Sequence, residues 1–260
     1  MNQLDKLFET KPRNLLSIYL TAGYPYLEAT VDIIQTLDEE GVDMIEVGMP
    51  YSDPMADGPT IQQSSSAAIQ NGMRLEKLFG QLSALKGRIE TPLVYMGYLN
   101  QIMQYGEDRF FTTCAACGIS GLILPDLPLD AYHSHYKQRI ESAELRMNFL
   151  IAPQTPEDRI KQIDKATTGF IYVVADAQVT GAKAGISPGQ IAYFERIQAM
   201  PLAHPKVIGF GIGDKKSFDT ACAYANGAII GSAFIRALEG ASPDDIAGKI
   251  RGFIRSIRGV

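Results

Sequence analysis

The chain alternates short apolar runs with longer amphipathic segments along nearly its whole length. The short runs are almost continuously apolar rather than alternating in polarity, which is typical of parallel strands covered on both faces. Eight such runs are predicted as strands, at residues 15–22, 44–50, 92–98, 121–127, 147–153, 170–175, 206–212 and 228–233.

Helical spacing of apolar residues fills the intervals between these strands. After the first strand, Leu27, Val31, Ile34 and Leu37 follow the three-to-four spacing of one helix face, and Gly41 ends the segment. Similar patterns predict helices at residues 60–70, 104–117, 130–144, 156–167, 187–199, 215–226 and 243–257.

Eight strand–helix units with short connectors predict an α/β fold, a (β/α)8 TIM barrel. We expect residues 1–260 to form this single domain, with a short amphipathic helix at the N-terminus. A doubly wound open sheet is the alternative, but it would usually carry a glycine-rich fingerprint after its first strand. The segment TAGYPYLE lacks that G-x-G-x-x-G pattern.

Chemistry in such barrels lies on the loops that follow the carboxyl ends of the strands. Three connectors are longer than the rest, namely 51–59, 176–186 and the stretch after the eighth strand. Long loops on a compact scaffold are more often functional than accidental, so these three are where the site is expected.

Composition excludes several classes of function. The 260 residues carry a formal net charge of −5 without a long basic block, which argues against nucleic-acid or anionic-membrane binding. No apolar run approaches the roughly 18 residues of a membrane span. The N-terminal segment MNQLDKLFET lacks the apolar core of a signal peptide, so a cytoplasmic location is expected.

Glu46 is the first candidate for catalysis. It interrupts an otherwise apolar strand between Ile45 and Val47, and alternation points its side chain into the barrel mouth if those neighbours face the helices. The alternative is a structural ion pair, but no strand carries a basic residue at a matching depth. A carboxyl group in an apolar cavity has a raised pKa, which suits a general acid near neutral pH.

Two aspartates lie in the loop that follows this strand. Asp57 stands in Ala-Asp-Gly-Pro and Asp53 in Ser-Asp-Pro, and both sequences are also ordinary turn chemistry. From the residues alone, Asp57 is as compatible with a turn as with a catalytic role.

Glycine-rich strand ends predict a phosphate site. The seventh strand ends in GFGIG and the eighth in IIGSA, and a short helix starts directly after the latter. The backbone amides of Gly211, Gly231 and Ser232 are therefore expected to converge on an anion, since the loops after strands seven and eight form the usual phosphate site of this fold.

The sequence lacks lysines and histidines at the positions that two other reaction mechanisms would need. No lysine lies in the carboxyl half of a predicted strand, which disfavours a Schiff-base mechanism, and the three histidines are poorly placed for a metal site at the mouth. Of the mechanisms considered, acid–base catalysis by carboxylates on a phosphorylated substrate is the one that the sequence still supports. Tyr19, Tyr98, Tyr172 and Phe210, near four strand ends, are predicted to wall a flat apolar pocket.

The stretch IEVGMPYSDPMADGPTIQ closely resembles the signature of the tryptophan synthase alpha chain family. YLTAGYP, MGYLN, LILPDLP, VTGAK, GFGI and GSA continue the match in family order over essentially the whole chain. The resemblance implies cleavage of indole-3-glycerol phosphate to indole and glyceraldehyde 3-phosphate without a metal or cofactor in this chain. The implied partner is a beta chain, which carries pyridoxal phosphate, in an α2β2 complex.

The resemblance also assigns roles to residues. It implies that Glu46 is the general acid–base and that Asp57 binds the indole N–H as charge develops on the ring. Thr180 and Gly181 match the family pattern in the loop after the sixth strand, Gly181 as a phosphate contact and Thr180 in loop closure. Where proline is common in the family this chain has Gln101, which is expected to affect only local backbone rigidity.

Two rival functions stay open at this stage. One is a different phosphate-binding barrel, such as an isomerase, in which Glu46 and Asp57 would be incidental. The other is a paralogue without activity that keeps the ligand pocket to regulate a partner; the presence of both carboxylates argues against it.

Overall fold

One parallel sheet of nine strands organises the part of the protein that the structure describes. The structure, a computed structural model, describes residues 1–54, 57–175, 186–209 and 211–260. The strands are β1 (Leu15–Thr21), β2 (Met44–Gly48), β3 (Leu93–Met96), β4 (Ile119–Ile123), β5 (Arg146–Asn148), β6 (Leu150–Ile151), β7 (Ile171–Val174), β8 (Lys206–Gly209) and β9 (Gly227–Ile230). Their spatial order is β5-β4-β3-β2-β1-β9-β8-β7-β6.

The two ends of this order belong to one stretch of chain. Only Phe149 separates β5 from β6, so the predicted fifth strand is divided into a half that pairs with β4 and a half that pairs with β7. That stretch closes the sheet into a barrel. Because β5 and β6 together form the fifth barrel strand, the nine strands make an eight-stranded barrel, and the prediction of a (β/α)8 barrel is confirmed.

A buried asparagine bridges the break between β5 and β6. Asn148 is inaccessible to solvent, and its Nδ2 donates to the carbonyl oxygen of Leu122 at 3.0 Å. Its Oδ1 accepts from the backbone N–H of Phe170 at 2.8 Å. The side chain therefore links β4 to the residue before β7 by hydrogen bonds on both sides of the interrupted fifth barrel strand.

Helices cover the outside of the barrel. They are α1 (Gln3–Thr10), α2 (Ala29–Glu39), α3 (Pro59–Gln70), α4 (Leu75–Leu85), α5 (Leu99–Tyr105), α6 (Glu107–Ala116), α7 (Leu129–Ala131), α8 (Lys137–Ser142), α9 (Glu157–Ala166), α10 (Pro188–Ala199), α11 (Lys215–Tyr224), α12 (Ser232–Ala237) and α13 (Ile246–Arg258). A π-helical turn, Tyr132–Tyr136, joins α7 to α8.

The structure differs from the predicted helices in two places. The predicted helix at 104–117 is interrupted at Gly106, whose φ of +93° ends α5 and starts α6. The pattern analysis also missed α4, although Leu75, Leu78 and Leu82 follow helical spacing and are buried.

The N-terminal helix closes the amino end of the barrel. Leu4 of α1 is fully buried among side chains of the barrel interior. Asp5 pairs with Arg146 of β5 through two oxygens, at 2.8 and 2.5 Å. With this end filled, the carboxyl ends of the strands form the open mouth.

Strand alternation decides which side chains reach that mouth. In β2, Ile45 and Val47 pack in the outer cluster with the helices, whereas Met44 belongs to the interior cluster. Glu46 lies between the two outward residues and therefore points into the barrel, as the sequence predicted.

Candidate active site

Glu46 is a carboxyl group in the buried interior of the barrel. It has no solvent exposure and lies in register with Tyr19 of β1 and Val94 of β3. Ser17 Oγ lies 3.5 Å from Glu46 Oε1, and Oε2 has no hydrogen-bond partner among the described residues. Burial raises the pKa of Glu46 to about 8, although the hydrogen bond from Ser17 acts in the opposite direction.

Asp57 lies two residues before the start of α3. Its backbone carbonyl accepts from Gln62 Nε2 at 2.9 Å, and its Oδ2 accepts from the hydroxyl of Tyr98 at 3.4 Å. Burial raises the pKa of Asp57, and the Tyr98 hydrogen bond partly offsets that rise. Asp53, by contrast, is exposed and accepts from its neighbour Ser52, as expected of a turn residue.

Two tyrosines share the interior with these carboxylates. Tyr19 and Tyr172 are both buried in the interior cluster. Burial raises the pKa of each, and the nearby charges of Glu46 and Asp57 raise both pKa values further. The four side chains therefore lie close together at the mouth.

Glycines make room for the two tyrosine rings. A Cβ atom at Gly48 would lie 2.1 Å from the hydroxyl oxygen of Tyr19, and one at Gly209 would lie 2.2 Å from that of Tyr172. Each ring thus leans over a neighbouring strand at a position where only glycine fits.

Tyr98, the third predicted pocket residue, is buried near the loop that carries Asp57. Its ring stacks on that of Tyr51, with centroids 4.8 Å apart and planes inclined by 29°. Its hydroxyl reaches Asp57, so the structure brings Tyr98 next to the loop aspartate. The fourth predicted pocket residue, Phe210, lies outside the described residues.

The predicted phosphate residues lie at the ends of two neighbouring strands. Gly231 follows β9 and precedes the first residue of α12, Ser232. Gly211 follows β8 with a φ of +76°. The loop after β8 also touches α12, since a Cβ atom at Gly213 would lie 3.1 Å from that of Ala233. Thr180 and Gly181 lie outside the described residues.

Two residues near the carboxylates were missed by the sequence analysis. Ser17 shares a face with Tyr19 on β1, so alternation along the strand would have pointed it into the barrel, although only the register of β1 against β2 brings it to Glu46. Gln101 was expected to affect only backbone rigidity, but its side chain makes two hydrogen bonds at the mouth.

The described ranges contain neither a cluster suited to a metal ion nor a helix suited to span a membrane. Among these residues no group of His, Cys, Asp and Glu is arranged to bind a metal ion. None of the described helices is both long and apolar enough to cross a membrane.

Comparison with known proteins identifies the family. The profile of the family described as tryptophan synthase alpha chain matches residues 6–254. The chain belongs to the tryptophan synthase alpha chain family. The tryptophan synthase alpha chain of Flavobacterium johnsoniae is 49% identical over 259 residues, covering 99% of this chain and 100% of the relative. That of Bacteroides fragilis is 48% identical over 238 residues, covering 92% and 90%.

Solved structures agree with this assignment. A Mycobacterium tuberculosis tryptophan synthase structure is similar with a TM-score of 0.87 and 32% identity, covering 99% of this chain and 97% of that one. A Pyrococcus furiosus tryptophan synthase complex has a TM-score of 0.86 and 29% identity, covering 95% and 99%. As a tryptophan synthase alpha chain, the protein is a lyase of L-tryptophan biosynthesis that cleaves indole-3-glycerol phosphate to indole and glyceraldehyde 3-phosphate.

Proposed function

We propose that Glu46 carries the proton transfers of this cleavage. The protonated carboxyl gives its proton to the indole ring carbon that bears the glycerol chain. The resulting carboxylate then removes the proton of the adjacent glycerol hydroxyl. The carbon–carbon bond breaks as the aldehyde forms, and its electrons return to the ring. Full burial, an Oε2 without a hydrogen-bond partner among the described residues and a pKa of about 8 support this role, since they favour a proton carrier at neutral pH.

Asp57 has a different role in this proposal. Protonation of the ring carbon places positive charge on the indole nitrogen, and a carboxylate that accepts the N–H hydrogen bond stabilises that charge. The nearby Tyr98 hydroxyl supports this assignment, because a donated hydrogen bond favours the ionised form of Asp57. The two carboxylates are therefore assigned opposite protonation states at the start of the reaction.

The substrate phosphate is assigned to the glycine-rich strand ends. The residues proposed to bind it are Gly181, Gly211, Gly231 and Ser232, with Ser232 at the start of α12. The contact between the loop after β8 and α12 supports this proposal, because it gathers backbone amides from two strand ends. The indole ring would lie between Tyr19, Tyr98, Tyr172 and Phe210.

A beta chain is the proposed partner. The similarity to a Pyrococcus furiosus tryptophan synthase complex supports such an assembly, which we assign as an α2β2 heterotetramer in the cytoplasm. Pyridoxal phosphate is assigned to the beta chain, since the acid–base chemistry proposed here needs only carboxylates. Closure of the segments 51–59 and 176–186, with Thr180 meeting the Asp57 loop, is the proposed route of activation by the partner.

One assay tests this function. The full-length chain is incubated with indole-3-glycerol phosphate, alone and with the cognate beta chain, and indole release is followed. Release by the isolated chain, increasing as the beta chain is added, is expected. No indole under either condition would contradict the proposal, and a flat titration despite demonstrated complex formation would contradict activation by closure.

A further inference from the structure

Gln101 joins two segments of the barrel mouth. It lies half-buried in the first turn of α5, and its Oε1 accepts from the backbone N–H of Tyr98 at 3.2 Å. Its Nε2 donates to the carbonyl oxygen of Pro50 at 2.9 Å. One side-chain amide thus connects the start of α5 to the segment that follows β2.

Both connected segments carry groups of the site. Tyr98 hydrogen bonds to Asp57 and stacks on Tyr51, the residue after Pro50. Asn100 Nδ2 lies 3.3 Å from the Tyr51 hydroxyl, which adds a second polar contact between the same two segments. The Gln101 amide therefore joins the two segments that carry the Tyr51–Tyr98 stack.

This contact requires an amide side chain. A neutral amide offers a donor and an acceptor at once, whereas a carboxylate accepts only and an aliphatic side chain does neither. The two bonds hold the backbone at Tyr98 and at Pro50, and the hydroxyl of Tyr98 in turn donates to Asp57. A misplacement of about 1 Å at a reacting group is enough to lower a rate about 10²-fold.

We propose that Gln101 is a positioning residue for the lyase reaction. By holding the Pro50 carbonyl to the start of α5, it keeps Tyr98 and the loop that bears Asp57 in the geometry that accepts the indole N–H. This inference rests on the proposed role of Asp57, and it adds a residue that touches neither the substrate nor the reacting atoms.

The Gln101→Glu variant separates the two hydrogen bonds. A carboxylate can still accept from the Tyr98 N–H, but it cannot donate to Pro50. The expected result is a kcat lowered by about 10- to 100-fold with little change in KM. Gln104→Glu is the matched control, because it places the same charge on the exposed side of the same helix. It is expected to keep wild-type kcat.

The pH dependence distinguishes a lost donor from general damage. Protonation of the introduced carboxyl restores a donor for Pro50. If the protonated form regains wild-type kcat, an ordinary glutamate pKa of about 4.3 predicts that the ratio of variant to wild-type kcat rises from pH 7.5 to pH 5.5, by about 1.5-fold for a 10-fold defect and about 6-fold for a 100-fold defect. Using the ratio removes the pH dependence that the two proteins share. A ratio that stays constant with pH would overturn the assignment of the donor.

A fluorescence measurement tests the geometry independently of activity. The chain contains no tryptophan, so Tyr51→Trp introduces a single probe into the aromatic stack. Adding Gln101→Glu to this background is expected to shift the emission to longer wavelength as the stack loosens, whereas adding Gln104→Glu is not.

The outcomes separate failure of this inference from failure of the proposed function. If Asp57→Asn is impaired while Gln101→Glu keeps wild-type kcat and unchanged probe emission, the positioning role is wrong and the function stands. If Asp57→Asn keeps wild-type turnover, the proposed role of Asp57 is wrong. A shifted emission in Gln101→Glu would then still show that the hydrogen bond from Gln101 to Pro50 holds the aromatic stack in place, without a role in catalysis.

Discussion

Ser17 Oγ lies 3.5 Å from Glu46 Oε1, from one barrel strand to the next, and both residues are fully buried. The other carboxylate oxygen has no hydrogen-bond partner in the described part of the chain. A carboxyl group so placed is poorly stabilised when charged, which makes it a strong base after it has given up its proton. The hydroxyl of Ser17 moderates that effect because it favours the charged form.

Replacing Glu46 with Gln removes the proton and keeps the size of the side chain. Turnover is expected to fall by about 10²–10⁴-fold, with substrate binding largely kept. Steady-state indole release measures kcat and KM separately. Glu195→Gln, an exposed change of the same type on α10, serves as the control. Near-normal turnover in Glu46→Gln would exclude the proposed acid–base role.

Lyase activity is expected to fall as the pH rises through the pKa of Glu46, about 8, because the protonated carboxyl starts the reaction. Ser17→Ala removes a hydrogen bond that favours the charged form, so the pKa of Glu46 and the alkaline limb should both move to higher pH. Tyr19, Tyr172 and Asp57 also face Glu46 and are unchanged in this variant.

The control for Ser17→Ala is Ser120→Ala. Ser120 is also buried in a strand, but its hydroxyl bonds to Gln3 near the closed end of the barrel. The pH profile of this variant should match that of the wild type. An alkaline limb that stays in place in Ser17→Ala would show that Ser17 does not influence Glu46.

Thermal stability should show the cost of burying Glu46. Its pKa is about 8 in the folded protein and 4.5 as the ordinary value, so stability is full below pH 4.5 and falls as the pH rises towards 8. Glu46→Gln has no such loss. Its Tm should exceed that of the wild type at pH 8, and the difference should shrink towards pH 4.5. Equal pH dependence of Tm in both proteins would contradict a raised pKa.

Asp57→Asn replaces the charge that stabilises the ring nitrogen with a neutral amide. A large decrease in kcat is expected, about 10²-fold or more, because this interaction strengthens only as charge develops. Tyr98→Phe removes the hydroxyl that donates to Asp57, leaves the Asp57 carboxylate in place and should cost less. A variant in which KM rises and kcat is unchanged would make Asp57 a binding group instead.

Gly231→Asp should weaken phosphate binding by charge rather than by bulk. A Cβ atom at this position would meet Tyr19 at an ordinary 3.5 Å, so Gly231→Ala is expected to fold and to bind nearly as the wild type does. The aspartate adds repulsion of the anion. Calorimetry with glycerol phosphate compares the three proteins, and equal affinity in all of them would place the phosphate elsewhere.

The sequence by itself determined the architecture and the direction in which Glu46 points. Runs that are apolar on both faces reflect strands covered on both sides, and the period of two places Glu46 opposite Ile45 and Val47. Both signals are local, because they depend only on neighbours along the chain. The family motifs likewise singled out Asp57, which spacing alone could not separate from a turn residue.

Tertiary structure decided what each of these groups touches. The fifth barrel strand is interrupted at Phe149, and Asn148 bridges the interruption. This feature follows from the closure of the sheet into a barrel. The contact of Ser17 with Glu46 depends on the register of two strands. The bond from Gln101 to Pro50 spans 51 residues. Such hydrogen bonds require two distant segments within about 3.5 Å of each other, and no periodicity along the chain encodes that distance.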